Sequence, residues 1–337
     1  MAATMRDVAL LAGVSTRTVS NVVSGYEFVR DSTRDRVNAA IEQLGYQPNL
    51  AARHLRAGRT GTIGLAVPEL RFSYFADLAD LVLEASKQRG LEVLIEQTTG
   101  DRDSEIALLK SPRTSMMDGL LFSPLGMADD DRDLLDVSYP LVLLGERVFS
   151  PLHDHVTIQN VEAARAATEY LIDAGRRRIA VVGGHHGETI GSAGLRLEGY
   201  RQALSGRGIE FDEELVVYSE GWHRPDGAEA ADELLRRGVA FDALFGLNDE
   251  LALGALRVLR RADVDVPGEV MVHGFDNLDE GKYSLPSLST VDPGRAIIAE
   301  SAVDALVERI SDRHGLLGAG RQIDAPFTLV ERESTGR

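Results

Sequence analysis

Apolar residues recur at helical spacing in three short stretches near the start of the chain. The first begins at a Thr4 cap and stops at Gly13, a residue that can adopt the left-handed conformation of a tight corner. The second begins at a Ser15 cap and ends at Gly25, and the third runs from a Ser32 cap to residue 45. This pattern predicts three short helices around a small core, with the first two joined as a helix-turn-helix.

From residue 62 onward, short apolar runs alternate with longer amphipathic stretches. Buried strands are predicted at 63–67, 93–96, 119–122, 141–144, 179–182, 243–246 and 270–274. Helices are predicted at 74–89, 161–174, 194–207, 225–237, 249–262 and 295–313. This alternation is typical of parallel sheets covered by helices on both faces. The segment is too long for one compact sheet, so we expect two lobes with a ligand cleft at the carboxyl ends of their strands.

The second predicted helix divides its polar residues in a way that suits DNA. Thr16, Arg17 and Asn21 point outward from its amino-terminal half, the part of a recognition helix that reaches base edges. Arginine matches guanine, and asparagine matches adenine. Thr18, Ser20 and the first-turn amides suit phosphates. An ordinary three-helix bundle with solvated polar residues would have the same periodicity, since short matches of this kind are common.

Residues 46–59 form a basic segment with three arginines and no acidic residue. Pro48 and Asn49 can start a short helix there, and Gly58 stops it. So short a helix is marginal alone in water and should order against DNA or a partner. Leu55 is predicted to project from it with Arg56 beside it, and a lone apolar side chain on a basic helix can wedge between base steps in the minor groove.

Charge is divided between the two parts of the chain. The formal net charge of the 337 residues is −17, but residues 1–60 carry eight basic and five acidic side chains, so the remainder carries −20. The first part therefore attracts phosphates, while the acidic remainder stays off the duplex. The absence of cysteine excludes a disulfide scaffold and fits a reducing cytoplasm. We find no signal-peptide pattern and no apolar stretch of the ~20 residues that a membrane helix needs.

Residues 4 to 60 resemble the headpiece and hinge of the LacI/GalR family of bacterial transcription regulators. The pattern Asp-Val-Ala-x-x-Ala-Gly-Val-Ser-x-x-Thr-Val-Ser-x-Val is present in full at 7–22. Thr-Arg-x-Arg-Val follows at 33–37, Leu-Gly-Tyr-x-Pro-Asn at 44–49 and Ala-Arg-x-Leu-Arg at 52–56. This combination is highly specific.

The resemblance implies an α/β protein of three parts. A three-helix helix-turn-helix headpiece is expected at 1–47, a hinge helix or linker at 48–60, and a two-lobe core with parallel sheets, like that of periplasmic binding proteins, at 61–333. Lobe 1 is expected at about 61–160 and 291–321, and lobe 2 at about 163–290 and 324–333. Residues 334–337 are a tail. The three crossings between lobes are expected near 160–163, 290 and 322.

The resemblance also implies a DNA interface. Leu55 is the intercalating hinge leucine, and Arg56 beside it implies a palindromic operator with a central CG step. The DNA-binding residues implied are Thr4, Ser15, Thr16, Arg17, Thr18, Ser20, Asn21, Asn49, Ala52, Arg53, Leu55 and Arg56. A homodimer is expected, with the helix at 74–89 helping to form the dimer face.

Polar and aromatic residues at predicted strand ends mark a candidate effector site. A tryptophan face, an arginine, an asparagine and an aspartate suit a sugar, whose ring stacks while its hydroxyls bind planar polar groups. The candidates are Tyr74, Phe75, Gln159, Arg196, Trp222, Asn248 and Asp276. Each has a plainer alternative: Tyr74 and Phe75 as core, Arg196 as an ion-pair partner, and Asp276 as a turn or cap. Gln159 stands where many family members carry an acid, so no known member's effector can be copied.

The sequence therefore predicts a cytoplasmic, ligand-responsive regulator that associates with the nucleoid when bound, most often a repressor of carbohydrate utilisation. Binding of a corepressor such as a purine, or of a phosphoprotein, remains open, and a solute-binding protein is a weaker alternative. No enzyme is expected, because no nucleophile, base and oxyanion donor assemble. No cofactor is expected. No metal site is expected either, since His153, His155, His185 and His186 have no third ligand at a recognisable spacing.

Overall fold

A computed structural model describes residues 3–23, 26, 28–46, 59–312 and 317–336. The chain divides into two compact units, Met1–Thr60 and Gly61–Arg337. Within the described ranges, no helix is both long enough and apolar enough to cross a membrane.

The first unit contains the three predicted helices, α1 (Met5–Ala12), α2 (Thr16–Val23) and α3 (Asp31–Leu44). Thr4 and Asp7 form a reciprocal capping box at the start of α1, and Gly13 ends it in the left-handed conformation with φ of 63°. Ser15 Oγ accepts from the Thr18 amide, as the predicted cap of α2. The predicted Ser32 cap is wrong, since α3 begins at Asp31 and its first turn contains Ser32.

A small apolar core holds these three helices together. Val8 from α1, Val19 from α2 and Val37 from α3 are fully buried, and Tyr46 closes the cluster. The small core that the sequence predicts for the three helices is therefore confirmed, and Val19 fixes the inward face of α2. Its opposite face is left to solvent.

The second unit is an alternation of strands and helices. In chain order its main elements are β1 (Thr62–Val67), α4 (Ser73–Gln88), β2 (Glu92–Gln97), α5 (Arg102–Leu109), β3 (Gly119–Phe122), β4 (Leu141–Leu144), β5 (Asp154–Ile158), α6 (Asn160–Asp173), β6 (Ile179–Gly184), α7 (Ser192–Gly206), β7 (Val216–Tyr218), α8 (Arg224–Arg237), β8 (Ala243–Gly246), α9 (Asp249–Arg261), β9 (Met271–His273), α10 (Asp279–Lys282), β10 (Thr290–Asp292), α11 (Arg295–Ser311), β11 (Gln322–Ala325) and β12 (Thr328–Val330).

Two parallel sheets organise this unit into two lobes. The first lobe has the strand order β11-β5-β4-β3-β1-β2, and the second has the order β7-β6-β8-β9. β10 and β12 form a separate antiparallel pair beside the second lobe. The predicted two-lobe fold with parallel sheets is confirmed. The carboxyl ends of strands from both sheets face one cavity, which is where the sequence places a ligand.

The chain passes between the lobes three times. It crosses between Ile158 and Asn160, again after Asp292, and finally after Ala325. The third crossing lies later than the predicted position near 322, because residues 322–325 form strand β11 and pair with β5 of the first lobe.

β5 shows why some strands escape prediction. Its first residue, Asp154, is fully buried, although an aspartate ordinarily marks a surface. The side chains of Arg309 and Arg321 both donate to its carboxylate, at 2.9–3.1 Å, so the charge is paired inside the lobe. These arginines lie more than 150 positions along the chain, so local pattern does not reveal the pairing.

Candidate functional site

The exposed surface of α2 carries the side chains predicted to read DNA. Thr16 and Arg17 are exposed at its first turn, and Ser20 and Asn21 are half-buried one turn later. Because the apolar face of α2 is fixed in the core, these side chains are held on a rigid element. Their placement fits the predicted approach to base edges.

Some of the predicted DNA contacts also cap helices. The Thr4 hydroxyl donates to Asp7 Oδ2 at 2.6 Å, and the Ser15 and Thr18 hydroxyls lie 2.9 Å apart. Their first role is therefore to fix the ends of α1 and α2. The remaining predicted DNA contacts fall outside the described residues: Asn49, Ala52, Arg53, Leu55 and Arg56.

A cavity with a volume of about 330 Å³ lies between the two lobes of the second unit. This size lies at the lower end of the range for small-molecule sites. Six of the seven predicted effector contacts line it, namely Tyr74, Phe75, Arg196, Trp222, Asn248 and Asp276. The first-lobe wall supplies Tyr74 and Phe75 from the first turn of α4, and the second lobe supplies the other four.

Arg196 is the buried centre of the second-lobe wall. Its guanidinium stacks on Phe275, 3.6 Å from the ring centroid, and lies 5.4 Å from that of Trp222. Its Nε donates to Asn160 Oδ1 at 2.8 Å, and it also donates to the Leu247 carbonyl. These contacts lock the plane of the guanidinium beside the cavity.

Asp276 lies beside Arg196, with 3.7 Å between its Oδ1 and the guanidinium NH2. Burial raises the pKa of this carboxyl to about 6, although Arg196 and Arg295 oppose the shift. Its backbone has φ of 113°, a conformation that costs energy for a non-glycine residue and often marks a functional site. A strained, buried carboxylate on a ligand cavity suits an acceptor for ligand hydroxyls.

Trp222 and Asn248 support one another at the cavity wall. The indole Nε1 donates to the Gly183 carbonyl at 2.7 Å, which fixes the ring. Asn248 Nδ2 donates to the Trp222 carbonyl at 3.0 Å, while its Oδ1 accepts from the Leu251 amide at 2.8 Å and caps α9. Asn248 thus positions Trp222 as well as facing the cavity.

Gln159 is the predicted contact that does not line this cavity. Its side-chain amide donates to the Ala325 carbonyl at 3.1 Å, where the chain crosses between the lobes. The expectation failed because the residue directly before α6 turns toward β11. Its neighbour Asn160 turns the other way and meets Arg196.

Sequence reasoning missed Glu146, which is 6% exposed on the cavity wall. Its carboxylate accepts from the Ile158 amide at 3.1 Å and from Ser192 Oγ, in the opposite lobe, at 3.2 Å. Burial raises its pKa, against the hydrogen bond from Ile158 and the charge of Arg196. The strand-end rule that found the other residues would have found Glu146 too, since it is the second residue after the end of β4.

A second missed group joins the lobes at one end of the cavity. Arg147 NH2 of the first lobe donates to Glu188 Oε2 of the second at 2.9 Å. His185 Nδ1 contacts the same oxygen at 2.8 Å. Gly191 leaves room for this pair, because a Cβ there would come within 2.8 Å of the Glu188 carboxylate. The Arg147 charge is therefore already neutralised.

The histidines weighed as metal ligands have other contacts. His153 Nε2 lies 2.8 Å from the Leu135 carbonyl, and His155 Nε2 contacts the Gly145 carbonyl. His186 stacks on Tyr218, with ring centroids 3.9 Å apart. Across the described part of the chain, no group of three or more His, Asp or Glu side chains could hold a metal ion.

Comparisons with family models assign both units. Residues 4–49 match the model described as bacterial regulatory proteins, lacI family. Residues 168–335 match a periplasmic binding protein-like domain. Among curated proteins, the chain is 31% identical over 314 residues to the HTH-type transcriptional repressor PurR of Vibrio atlanticus (strain LGP32), covering 92% of this chain and 93% of that protein.

Two solved structures extend the comparison. One, described as a transcriptional regulator of LacI family from Sanguibacter keddieii DSM 10542, is 50% identical with a TM-score of 0.77, covering 83% of this chain and 100% of that one. The other, a complex of transcriptional regulator CelR with cellobiose, is 33% identical with a TM-score of 0.73, covering 98% of this chain and 99% of that one. Both the sequence and the fold are therefore similar to those of transcription regulators.

Proposed function

Because the chain belongs to the LacI family of bacterial regulatory proteins, we propose that it represses a carbohydrate-utilisation operon. It is a sequence-specific DNA-binding transcription regulator. In our proposal it holds a palindromic operator until a small sugar-like effector occupies the cavity. The effector acts by preferring one arrangement of the two lobes, which is the only way that a ligand can shift such an equilibrium.

On the DNA side, each subunit of a homodimer reads one half-site with α2. Arg17 and Asn21 contact base edges, while the caps at Thr4 and Ser15 lie against phosphates. The segment 48–60 is proposed as the hinge, with Leu55 of both subunits inserted at a central CG step. This assignment follows from the sequence motif at 52–56.

The observation that carries the effector proposal is the make-up of the cavity wall. The Trp222 ring, the Asp276 carboxylate and the Glu146 carboxylate all border one small space. An aromatic face can stack on a sugar ring, and carboxylates accept hydrogen bonds from its hydroxyls. The relative with cellobiose in its structure supports the same class of ligand.

The charges on the cavity wall favour an uncharged sugar over a sugar phosphate. Two arginines line the cavity, and each already pairs with a carboxylate, Arg147 with Glu188 and Arg196 with Asp276. Three further carboxylates border the same space, those of Glu69, Glu146 and Glu220. Among the described residues that line the cavity, a phosphate would therefore meet five carboxylates and only two arginines, both already paired.

A purine corepressor is the second candidate, favoured by the likeness to the repressor PurR. A flat base could also stack on Trp222. The two candidates differ in the sign of the response, since a sugar inducer would weaken operator binding and a corepressor would strengthen it. Titration of ligand into a DNA-binding assay separates them.

The proposal includes binding without turnover and a site of action in the bacterial cytoplasm, on the nucleoid. Its relatives are transcription regulators rather than enzymes. A screen for chemical conversion of every sugar that binds tests whether the protein binds its ligand without turnover.

Selection of genomic fragments by the purified full-length protein tests the regulator proposal. We expect enrichment of one palindromic sequence and its release by a neutral sugar from a panel of sugars, their phosphates and purines. Enrichment of a palindrome that only a purine or a sugar phosphate affects would overturn the effector assignment and leave the DNA assignment intact.

A further inference from the structure

Helix α4 begins without a side-chain cap of its own. Phe72 stands at the N-cap position and makes no side-chain cap hydrogen bond, and the first turn contains no acidic residue. The first amides of a helix have no partner within the helix, so they need one from outside. This turn also carries Tyr74 and Phe75, the first-lobe wall of the cavity.

The second lobe supplies an acceptor for the first amide of α4 and a second acceptor for the side chain of the same residue. Glu250 Oε1, from the first turn of α9, accepts from the Ser73 amide at 3.2 Å. Glu280 Oε1, from α10, accepts from the Ser73 hydroxyl at 2.8 Å. Both carboxylates are thus placed at the positive end of the α4 dipole, where negative charge is stabilising. Neither contact can form unless the lobes stand together.

Neighbouring side chains hold these two carboxylates in place. Arg224 NH2 donates to Glu280 Oε1 at 2.6 Å. The His223 ring lies between two acids of different lobes, with Nδ1 3.5 Å from Glu250 Oε2 and Nε2 3.6 Å from Glu69 Oε2. It also packs against Phe72, with ring centroids 4.2 Å apart. Glu250 itself is buried, with 4% of its surface exposed.

We propose that Glu250 and Glu280 are positioning residues that cap helix α4 across the cleft, Glu250 by accepting from the Ser73 amide and Glu280 by holding the Ser73 side chain in place. Closure of the lobes and ordering of the first turn of α4 are then one event, because the cap is complete only in the closed arrangement. Separation of the lobes leaves the Ser73 amide without its protein acceptor. The first turn of α4 then becomes less ordered, and with it the aromatic side chains of Tyr74 and Phe75 that line the cavity.

The consequence for ligand response rests on the proposed function. A ligand between Tyr74 and the second lobe holds the lobes together and so stabilises the cap. Loss of the cap should therefore weaken the response to ligand, while α2, in the other unit, keeps its DNA-reading surface. The cap itself can be measured without ligand or DNA.

Hydrogen–deuterium exchange on the full-length protein tests the cap. The variants are Glu280→Ala, whose side chain is 45% exposed, and Glu250→Met, which keeps side-chain length but removes the acceptor. Asp279→Asn is the matched control, because Asp279 is the neighbouring acid and pairs with Lys282 at 2.9 Å. We expect exchange at residues 73–78 to quicken on the order of tenfold in both variants, and to stay unchanged at 83–88 and in the control.

A second substitution, which supplies a cap within α4 itself, should reverse the effect of Glu280→Ala on exchange. Phe72→Asp in the Glu280→Ala background supplies an N-cap within α4 itself and should restore slow exchange at 73–78 without restoring the contact between lobes. Unchanged exchange in Glu280→Ala, or faster exchange along the whole of α4 in both variants, would overturn the proposal. The exchange experiment requires no DNA. If the protein proved to have no preferred DNA sequence, the regulator proposal would fail, but the exchange rates at 73–78 would still test the cap.

Discussion

In our proposal, Arg17 is the residue on which the reading of sequence by α2 depends most. It is exposed at the first turn, one helical turn before Asn21, while Val19 anchors the helix from behind. A guanidinium in that position can bind guanine through two hydrogen bonds, which gives discrimination between base pairs and not only attraction to phosphate.

Replacement Arg17→Ala should relax preference at one position of each half-site by about 1–3 kcal/mol. Arg6→Ala is the control, because Arg6 is also exposed but lies on α1, which crosses the DNA backbone in this motif. The control should weaken all sequences alike. Binding to a set of operators with every base pair changed in turn measures both effects, and a uniform loss in Arg17→Ala would make Arg17 a phosphate contact.

We expect Asp276 to make ligand binding in the cavity sensitive to pH. Burial raises the pKa of its folded form to about 6 from the ordinary value of 3.8. The folded protein therefore holds this proton more tightly than the unfolded chain does, so the contribution of Asp276 to stability falls as pH rises through about 4 to 6. Above pH 6 the group is a carboxylate and can accept from two ligand hydroxyls.

Affinity for a sugar effector should therefore fall as pH drops below about 6, by at most about tenfold per pH unit from this group. In Asp276→Asn we expect weaker binding at pH 8 and a flatter profile between pH 5 and 8. Fluorescence of Trp222, the sole tryptophan, reports the binding. An unaltered pH profile in the variant would assign the titration to another group, such as Glu146.

Most of the cavity residues were predictable because they lie in the segments that follow the carboxyl ends of strands. Arg196 and Trp222 were predicted from flanking sequence, and both line the cavity. Gln159 failed because the direction of a side chain at the crossing depends on β11, which lies far along the chain. The Arg147–Glu188 pair could not be predicted, since its partners come from different lobes and nothing local links them.

At the scale of elements, helices α8 and α9 pack closely against each other in the second lobe. The two helices approach so closely that a Cβ at Gly254 would lie 2.0 Å from the Arg224 carbonyl, and one at Gly227 would lie 2.1 Å from that of Leu251. This contact also places Asn248, at the start of α9, against the cavity, and Glu250 against the start of α4. Glycine is required here for close approach and not for turning.

Gly254→Ala should lower the free energy of unfolding by about 1–3 kcal/mol, because backbone atoms must move apart. Gly206→Ala is the matched control: it also lies in a helix, its Cβ would meet nothing within 4 Å, and it should stabilise the protein by about 0.4–1 kcal/mol. Urea unfolding followed through Trp222 measures both. Equal stabilities of Gly254→Ala and the natural protein would show that the two helices can separate freely.

Elements were predictable in proportion to how local their stabilising contacts are. The amphipathic helices and apolar strands of both lobes follow from periodicity. β5 begins with a buried aspartate that distant arginines neutralise, and β11 and β12 are mostly exposed or half-buried, so neither contains a run of buried apolar residues. Such strands take their order from the sheet around them.

At the scale of the whole molecule, the two units differ in charge as they differ in function. The unit that reads DNA is net positive and the ligand-binding unit is strongly acidic. The duplex is therefore attracted to the first unit and repelled by the second. The coupling of the two tasks needs only about 1–3 kcal/mol.

The most direct test is equilibrium binding of the full-length protein to its selected palindrome and to a scrambled duplex of the same composition, at 0.15 M salt. Two headpieces reading base edges should give a preference of at least about 1,000-fold for the palindrome. Equal affinity for the two duplexes would contradict the account, because phosphate attraction alone would then explain the binding.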